Sequence, residues 1–323
     1  GPSMGCIGTA AIALRYPDRF AAAAPLCGYH VYRHMREWEA DRRPMLPFER
    51  FVASYYTNTD LAENAANLPF YVVHGLRDSP VNSRIFVERL EALGSPVVYE
   101  TPDLGHNVWA TTYSGGRLFD WLRRWRRPEE PEHVRFRTPR LRYRSAYWVR
   151  IDDAPDYAAF SEIDARVRPA NRIEVRTDNV DALTIAPPAS RIDARSPLVV
   201  QIDGSSVVVP AGAGGAAISL RRGARGWGFG VPETAVPSLR KRPGRAGPIG
   251  DVFFDPITVV YGTQDPDQLA QNRALAERWG RFGASDVRYP VVAAVEARDE
   301  DLGRHSLILI GRPSTNGVLA RIA

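Results

Sequence analysis

At Pro128-Glu129-Glu130-Pro131 the hydropathy pattern changes period, and no single type of sheet accommodates both sides of the change. Before it, short continuous apolar runs alternate with stretches of helical spacing. Phe70–Val73 and Val97–Glu100 read as buried strands, and so does the small-residue run Phe20–Cys27, which stops at Gly28. Ile7–Leu14, Phe48–Tyr56, Ser83–Leu93 and Leu118–Trp125 read as helices, the third closed by Gly94 and the last by Pro128. A βα rhythm of this kind predicts a parallel sheet covered by helices.

After the break, apolar and polar residues alternate with period two. The runs are Val134–Arg137, Ala146–Ile151, Phe160–Val167, Ile173–Thr177, Ala182–Ile185, Leu198–Ile202, Val207–Val209, Ala217–Leu220 and Trp227–Phe229. Turn residues such as Asp203–Gly204 separate them, which predicts a β-sandwich. The Gly/Ala run at 211–217 reads as a hairpin loop and the Pro/Gly/Arg-rich stretch 236–250 as a linker. Ile257–Tyr261, Asp267–Trp279 and Ser306–Ile310, followed by a short terminal helix, predict a small α/β unit. The expected domains are therefore 1–131, 132–235 and 236–323, consistent with a chain of 323 residues, too long for one ordinary domain.

Composition excludes several classes. The chain is 44% hydrophobic with no run of eighteen apolar residues, so it is neither disordered nor membrane-spanning by helix. Its net charge of +5 rests almost wholly on arginine, Lys241 being the only lysine, and the arginines are scattered among 37 acidic residues. That is codon bias rather than a basic face, and no nucleic-acid partner is expected. Cys6 and Cys27 cannot build a disulfide framework and are expected as buried free thiols. His30 and His34 are spaced i, i+4 but lack a Glu and a third ligand, so no metal is expected. No G-x-G-x-x-G is present and no cofactor is expected. The Arg240-Lys241-Arg242 stretch reads as a solvated loop.

The chemistry sits in three short strings. Gly1-Pro2-Ser3-Met4-Gly5 fits G-x-S-x-G, in which the serine occupies a tight strand-to-helix turn and the following helix turns its N-terminus toward an oxyanion. A Gly-Pro start is equally the mark of a cleavage scar, and Ser3–Met4 alone does not settle it. His74-Gly75-Leu76-Arg77-Asp78 places an acid just past a buried strand, where catalytic groups project from parallel sheets. Leu104-Gly105-His106 places a histidine in the loop after the next strand. The order Ser, Asp, His suits a nucleophile, Ser3, with a base, His106, oriented by Asp78. Each has a plainer reading: a turn serine, an N-cap for the helix near Asn82, a surface histidine. His74 reads as a strand-end residue and Trp109 as helix packing.

These strings, with YPDRFAAAAPLCG at 16–28, VVHGLRDSPVNSR at 72–84 and LEALGSPVVYETPDLGHNVW at 90–109, resemble the C-terminal half of an α/β-hydrolase catalytic domain of the prolyl-oligopeptidase type. LRYRSAYWVRID at 141–152, GPIGDVFFDPITVVYGT at 247–263 and LILIGRPSTN at 307–316 resemble the C-terminal extension of large bacterial members. The resemblance implies an α/β-hydrolase-type parallel sheet, N-terminally truncated, then a β-sandwich-like lobe and a small α/β unit. It implies a peptide or ester substrate, Ser3, Asp78 and His106 as triad, and the backbone N–H of Met4 as oxyanion donor. Carboxylesterases of the polyester or feruloyl type, and a non-catalytic scaffold, stay open as alternatives. Cys6 departs from the second glycine usual after the elbow. A chain beginning at the elbow is expected to lack an HGG-type oxyanion loop and earlier strands, and hence to be impaired and poorly soluble. No signal peptide is visible, which leaves a secreted or periplasmic location open, and oligomeric state is not legible.

Overall fold

The computed structural model describes residues 1–32, 44–215, 217–230, 241, 246–247, 249–281 and 288–322. The chain forms two compact units, Gly1–Ala246 and Gly247–Ala323. Among the described residues no helix is long and apolar enough to cross a membrane.

The first unit opens on helix α1 (Met4–Arg15), which buries Cys6, Ala10, Ala13 and Leu14. Helix α2 (Pro47–Ser54) and a 3-10 helix (Asn58–Asn67) follow, then strand β1 (Phe70–Val73), α3 (Val81–Ala92), β2 (Val97–Glu100), α4 (Trp109–Tyr113) and α5 (Arg117–Arg123). β1 and β2 pair in parallel, Phe70 opposite Val97 and Val73 opposite Glu100. The expected strand Phe20–Cys27 is present only as extended chain. Single parallel bridges join Ala23 to Phe70, Leu26 to Val73 and Pro2 to Leu26. The reason is local: the Pro25 carbonyl accepts from Val73 N–H, but Pro25 has no N–H to return, so the ladder stays broken. The layer nevertheless runs from Pro2 through Ala23–Leu26 and β1 to β2. Its faces are covered by a cluster including Leu14, Leu61, Phe70 and Phe86, and a second including Leu26, Val73, Val108 and Trp121.

Beyond the break the alternation builds two antiparallel-rich sheets. β3 (His133–Thr138), β6 (Ser161–Arg168), β7 (Arg172–Asp178), β9 (Leu198–Ile202) and β10 (Ser205–Val209) form one, in the order β10-β9-β7-β6-β3. β4 (Ser145–Ala146), β5 (Val149–Asp153), β8 (Ala182–Ile185), β11 (Ile218–Gly223) and β12 (Gly226–Phe229) form the other, in the order β12-β11-β8-β5-β4. Inward residues such as Phe136, Ile151, Ile163, Ile173 and Leu183 fill one shared core. The run read as one strand, Ala146–Ile151, is split by Tyr147, whose φ of 53° cannot continue a strand. The Gly/Ala run at 211–217 is not a hairpin loop: β10 and β11 lie in different sheets, so the run carries the chain across the sandwich. Most of the 236–250 stretch lies outside the described residues.

Asn64 ties the parallel layer to the sandwich. It is 2% exposed. Its amide donates to the carbonyls of Leu14 at 2.8 Å and Arg137 at 2.9 Å. Its Oδ1 accepts from Arg137 N–H at 2.6 Å. The division expected at 131/132 falls inside this stitched unit, and we propose that it marks a change of architecture within one cooperative body. The second unit is a parallel sheet in the order β14-β13-β15, from β13 (Ile257–Tyr261), β14 (Val291–Ala293) and β15 (Ser306–Ile310). Helix α6 (Pro266–Gly280) packs Ala276 on Val259 and Ile310. Two short helices, α7 (Asp299–Leu302) and α8 (Gly317–Ala320), complete the unit.

Asn64→Ala leaves buried peptide groups on both sides of the stitch without a partner. It should lower the unfolding free energy of the Gly1–Ala246 unit by about 2 kcal/mol, with hydrogen exchange in β1 and in β6 speeded together. A loss below a few tenths of a kcal/mol, or faster exchange in only one of the two strands, would contradict the stitched unit.

Candidate active site

The turn that presents Ser3 is built by backbone. Ser3 N–H donates to Leu26 C=O at 2.8 Å, and Leu26 N–H donates to Gly1 C=O at 3.0 Å. Helix α1 starts on the next residue, so the chain must reverse within one residue. It does so with Ser3 at φ 53° and ψ −120°, a conformation disfavoured for any residue with a side chain. Glycines make room. A Cβ on Gly1 would lie 2.6 Å from Gly5 O, and one on Gly28 would lie 2.6 Å from Cys6 Cβ and 2.9 Å from Ser3 O. Met4 is the first residue of α1, so its N–H lies outside the helix's own hydrogen-bond ladder.

Asp78 and His106 arrive on two loops that leave β1 and β2 side by side. Leu76 N–H donates to Pro102 C=O at 2.8 Å and Arg77 N–H to Leu104 C=O at 2.9 Å. This approach needs Gly75: a Cβ there would sit 2.2 Å from Gly105 O and 2.5 Å from Leu104 O. The result is a continuous chain of side chains. His106 Nε2 lies 2.9 Å from Ser3 Oγ and His106 Nδ1 lies 2.9 Å from Asp78 Oδ2. The Trp109 and His106 rings stand perpendicular with centroids 5.7 Å apart, so Trp109 flanks the site. An ionised carboxylate only accepts, so His106 carries its proton on Nδ1, and its Nε2 lone pair faces the serine hydroxyl.

Asp78 is held below the usual carboxylate range. Burial pushes it up, but hydrogen bonds and charge from His106 and His74 together outweigh that push. His74, read from sequence as a strand-end residue, is a second donor here, with Nε2 3.0 Å from Asp78 Oδ2. A period-two or helical pattern carries no sign of this contact, because the four-residue separation crosses a turn. Buried His30 is pushed down to about 3 by its burial and then by His74. It stacks on Phe86 at 4.4 Å and lies 3.5 Å from Cys6 Sγ, a core histidine; His34 lies outside the described residues.

Both cysteines are free and buried. Burial pushes both thiols up, so neither is a thiolate nucleophile near neutral pH. Cys27 Sγ accepts from Gly75 N–H at 3.3 Å and so supports the acid loop. Ligand atoms of Cys27, Asp78 and His106 lie within 4.8 Å of one another. These atoms are engaged with one another and with their neighbours: Cys27 Sγ with Gly75 N–H, Asp78 Oδ2 with His106 Nδ1, and His106 Nε2 with Ser3 Oγ.

No family model matches the chain. It is 28% identical over 229 residues to a protein of Arthroderma benhamiae described as an uncharacterized secreted protein, covering 65% of this chain and 24% of that one. The chain thus spans about a quarter of that relative's length. Among solved structures, Porphyromonas gingivalis dipeptidyl peptidase 4 is 20% identical with a TM-score of 0.29, over 38% of this chain and 18% of that one. S-formylglutathione hydrolase from Staphylococcus aureus is 19% identical with a TM-score of 0.29, over 38% of this chain and 52% of that one.

Two outcomes follow from the geometry. Gly75→Ala should push the acid loop off His106 and cut any Ser3-dependent reaction by at least about tenfold. Gly8→Ala, where nothing lies within 4 Å, should leave that reaction intact and stabilise α1 by up to about 1 kcal/mol. Equal rates in the two variants would contradict the role given to Gly75. The folded-state value of Asp78 is depressed, so its ionisation contributes stability above the ordinary carboxylate range, lost as pH falls through the lower folded value. Asp78→Asn should therefore flatten the acid side of the stability–pH curve, and an unchanged curve would contradict the two-donor environment.

Proposed function

We propose that the chain is a serine hydrolase of the α/β-hydrolase type, similar to the prolyl-oligopeptidase group, cleaving a peptide or ester bond through an acyl-enzyme. The observation that carries this reading is the Ser3–His106–Asp78 chain, with both links at 2.9 Å and the serine on a left-handed turn at the start of a helix. A serine hydroxyl is a poor nucleophile until its proton is taken. His106 Nε2 accepts that proton as Ser3 Oγ attacks the substrate carbonyl, and Asp78 stabilises the imidazolium that forms. The Met4 N–H meets the negative charge on the carbonyl oxygen. His106 then returns the proton to the leaving amine or alcohol. Water repeats the sequence on the acyl-enzyme and regenerates the free serine.

Met4, next to Ser3 in sequence, is 83% exposed, so an apolar side chain adjoins the serine. That favours neither amides nor esters, and the two classes are separated by assay. Turnover of p-nitrophenyl acetate and butyrate alone supports the carboxylesterase reading. Added turnover of a prolyl-p-nitroanilide supports the peptidase reading. In either case Ser3→Ala or His106→Ala should lower kcat by about 10³-fold or more. Turnover that survives Ser3→Ala would overturn the proposal, and absence of any Ser3-dependent turnover would favour a scaffold role.

A further inference from the structure

We propose that His74 is a positioning residue: a buried imidazole that, backed by the Ser83 hydroxyl, holds the Asp78 carboxylate in the orientation His106 needs. The inference rests on the triad reading of Ser3, Asp78 and His106 and deepens it.

Asp78 Oδ2 is approached by two imidazoles, His106 Nδ1 at 2.9 Å and His74 Nε2 at 3.0 Å. An ionised carboxylate oxygen can only accept, so each ring must present an N–H there. That assigns His74 the Nε2–H tautomer. Its Nδ1 is then an acceptor, and Ser83 Oγ lies 2.8 Å away to donate to it. The relay therefore runs from Ser83 O–H through His74 to Asp78 and, from the other side, from Ser3 O–H through His106 to the same oxygen. The two halves differ in exposure. The side chain of His106 is 51% exposed and that of His74 is 2% exposed. Ser83 is fully buried in the first turn of α3. His74 follows directly on β1, and its backbone N–H is bonded to Glu100 C=O at 3.0 Å. The fixed side of the pair is thus His74, anchored in the sheet and the helix, whereas Asp78 stands on a turn.

His74 cannot itself act as the base. Both of its ring nitrogens are engaged, and Asp78 lies between it and His106. The titratable groups facing it are Asp78, His106 and His30, and burial disfavours its charged form against the pull of Asp78. An uncharged N–H donor orients the carboxylate without neutralising it, so Asp78 keeps its full charge for the imidazolium of His106.

The test pairs a spectrum with kinetics. In protein carrying ¹⁵N-labelled histidine, the His74 ring, assigned by its loss in His74→Gln, should show the Nε2–H tautomer at neutral pH. With p-nitrophenyl butyrate, His74→Leu should lower kcat by about 10- to 100-fold with KM within about twofold. His74→Gln, whose amide can place an N–H near the same oxygen, should recover most of that loss, and Ser83→Ala should fall between. An Nδ1–H tautomer, an unchanged kcat in His74→Leu, or a folded His74→Gln as impaired as His74→Leu would overturn the proposal. If turnover does not depend on Ser3, the triad reading fails, and the spectrum alone decides the His74–Asp78 bond.

Discussion

A serine at φ 53° and ψ −120° costs on the order of 1–3 kcal/mol relative to an ordinary backbone conformation, and such strain persists only where the surroundings over-determine it. Here they do. The residues before Ser3 are paired with Ala24–Leu26, and the residues after it are locked into α1. Gly1 and Gly28 remove the side chains that would fill the crossing. The sharp reversal lifts Ser3 Oγ toward the loops leaving β1 and β2. This turn sets Ser3 Oγ 2.9 Å from His106 Nε2, the contact on which the proposed reaction rests.

The opposite side of the relay is decided by competition between burial and hydrogen bonding at Asp78. Burial favours the neutral acid, while the donors from His106 and His74 favour the carboxylate and prevail. Burial also pushes the Cys6 and Cys27 thiols up, so neither is a thiolate near neutral pH. Gly75, like Gly1, allows an approach closer than a Cβ permits: Gly1 against the first turns of α1, Gly75 against the loop that follows β2.

Much of this was legible in residue order. The period-two alternation after Pro131 marks most of the sandwich strands, since in strands such as β3 and β6 the inward positions are buried and the outward ones partly exposed. Ser3, Asp78 and His106, the residues proposed as a triad, lie in sequence at the ends of apolar runs, and the fold brings their side chains together. What was not legible depends on three-dimensional partners. Phe20–Cys27 has the composition of a strand, but Pro25 interrupts its ladder. The Gly/Ala run at 211–217 looks like a tight turn, yet it spans two sheets, and nothing local distinguishes the two. Asn64 sits in a 3-10 helix, where no amphipathic period announces it, and its importance lies in the backbone groups of α1 and β3 that it joins. His74 and Gly75 are adjacent in sequence, and each acts through a group that folding alone brings to it.

Activation of Ser3 as a nucleophile, as proposed, is measured directly by a covalent probe. Treatment with a fluorophosphonate, followed by peptide mapping, should give one phosphonyl adduct on Ser3 Oγ. The adduct should be absent from Ser3→Ala and formed far more slowly in His106→Ala. An adduct on another residue, or labelling undiminished in Ser3→Ala, would contradict the account.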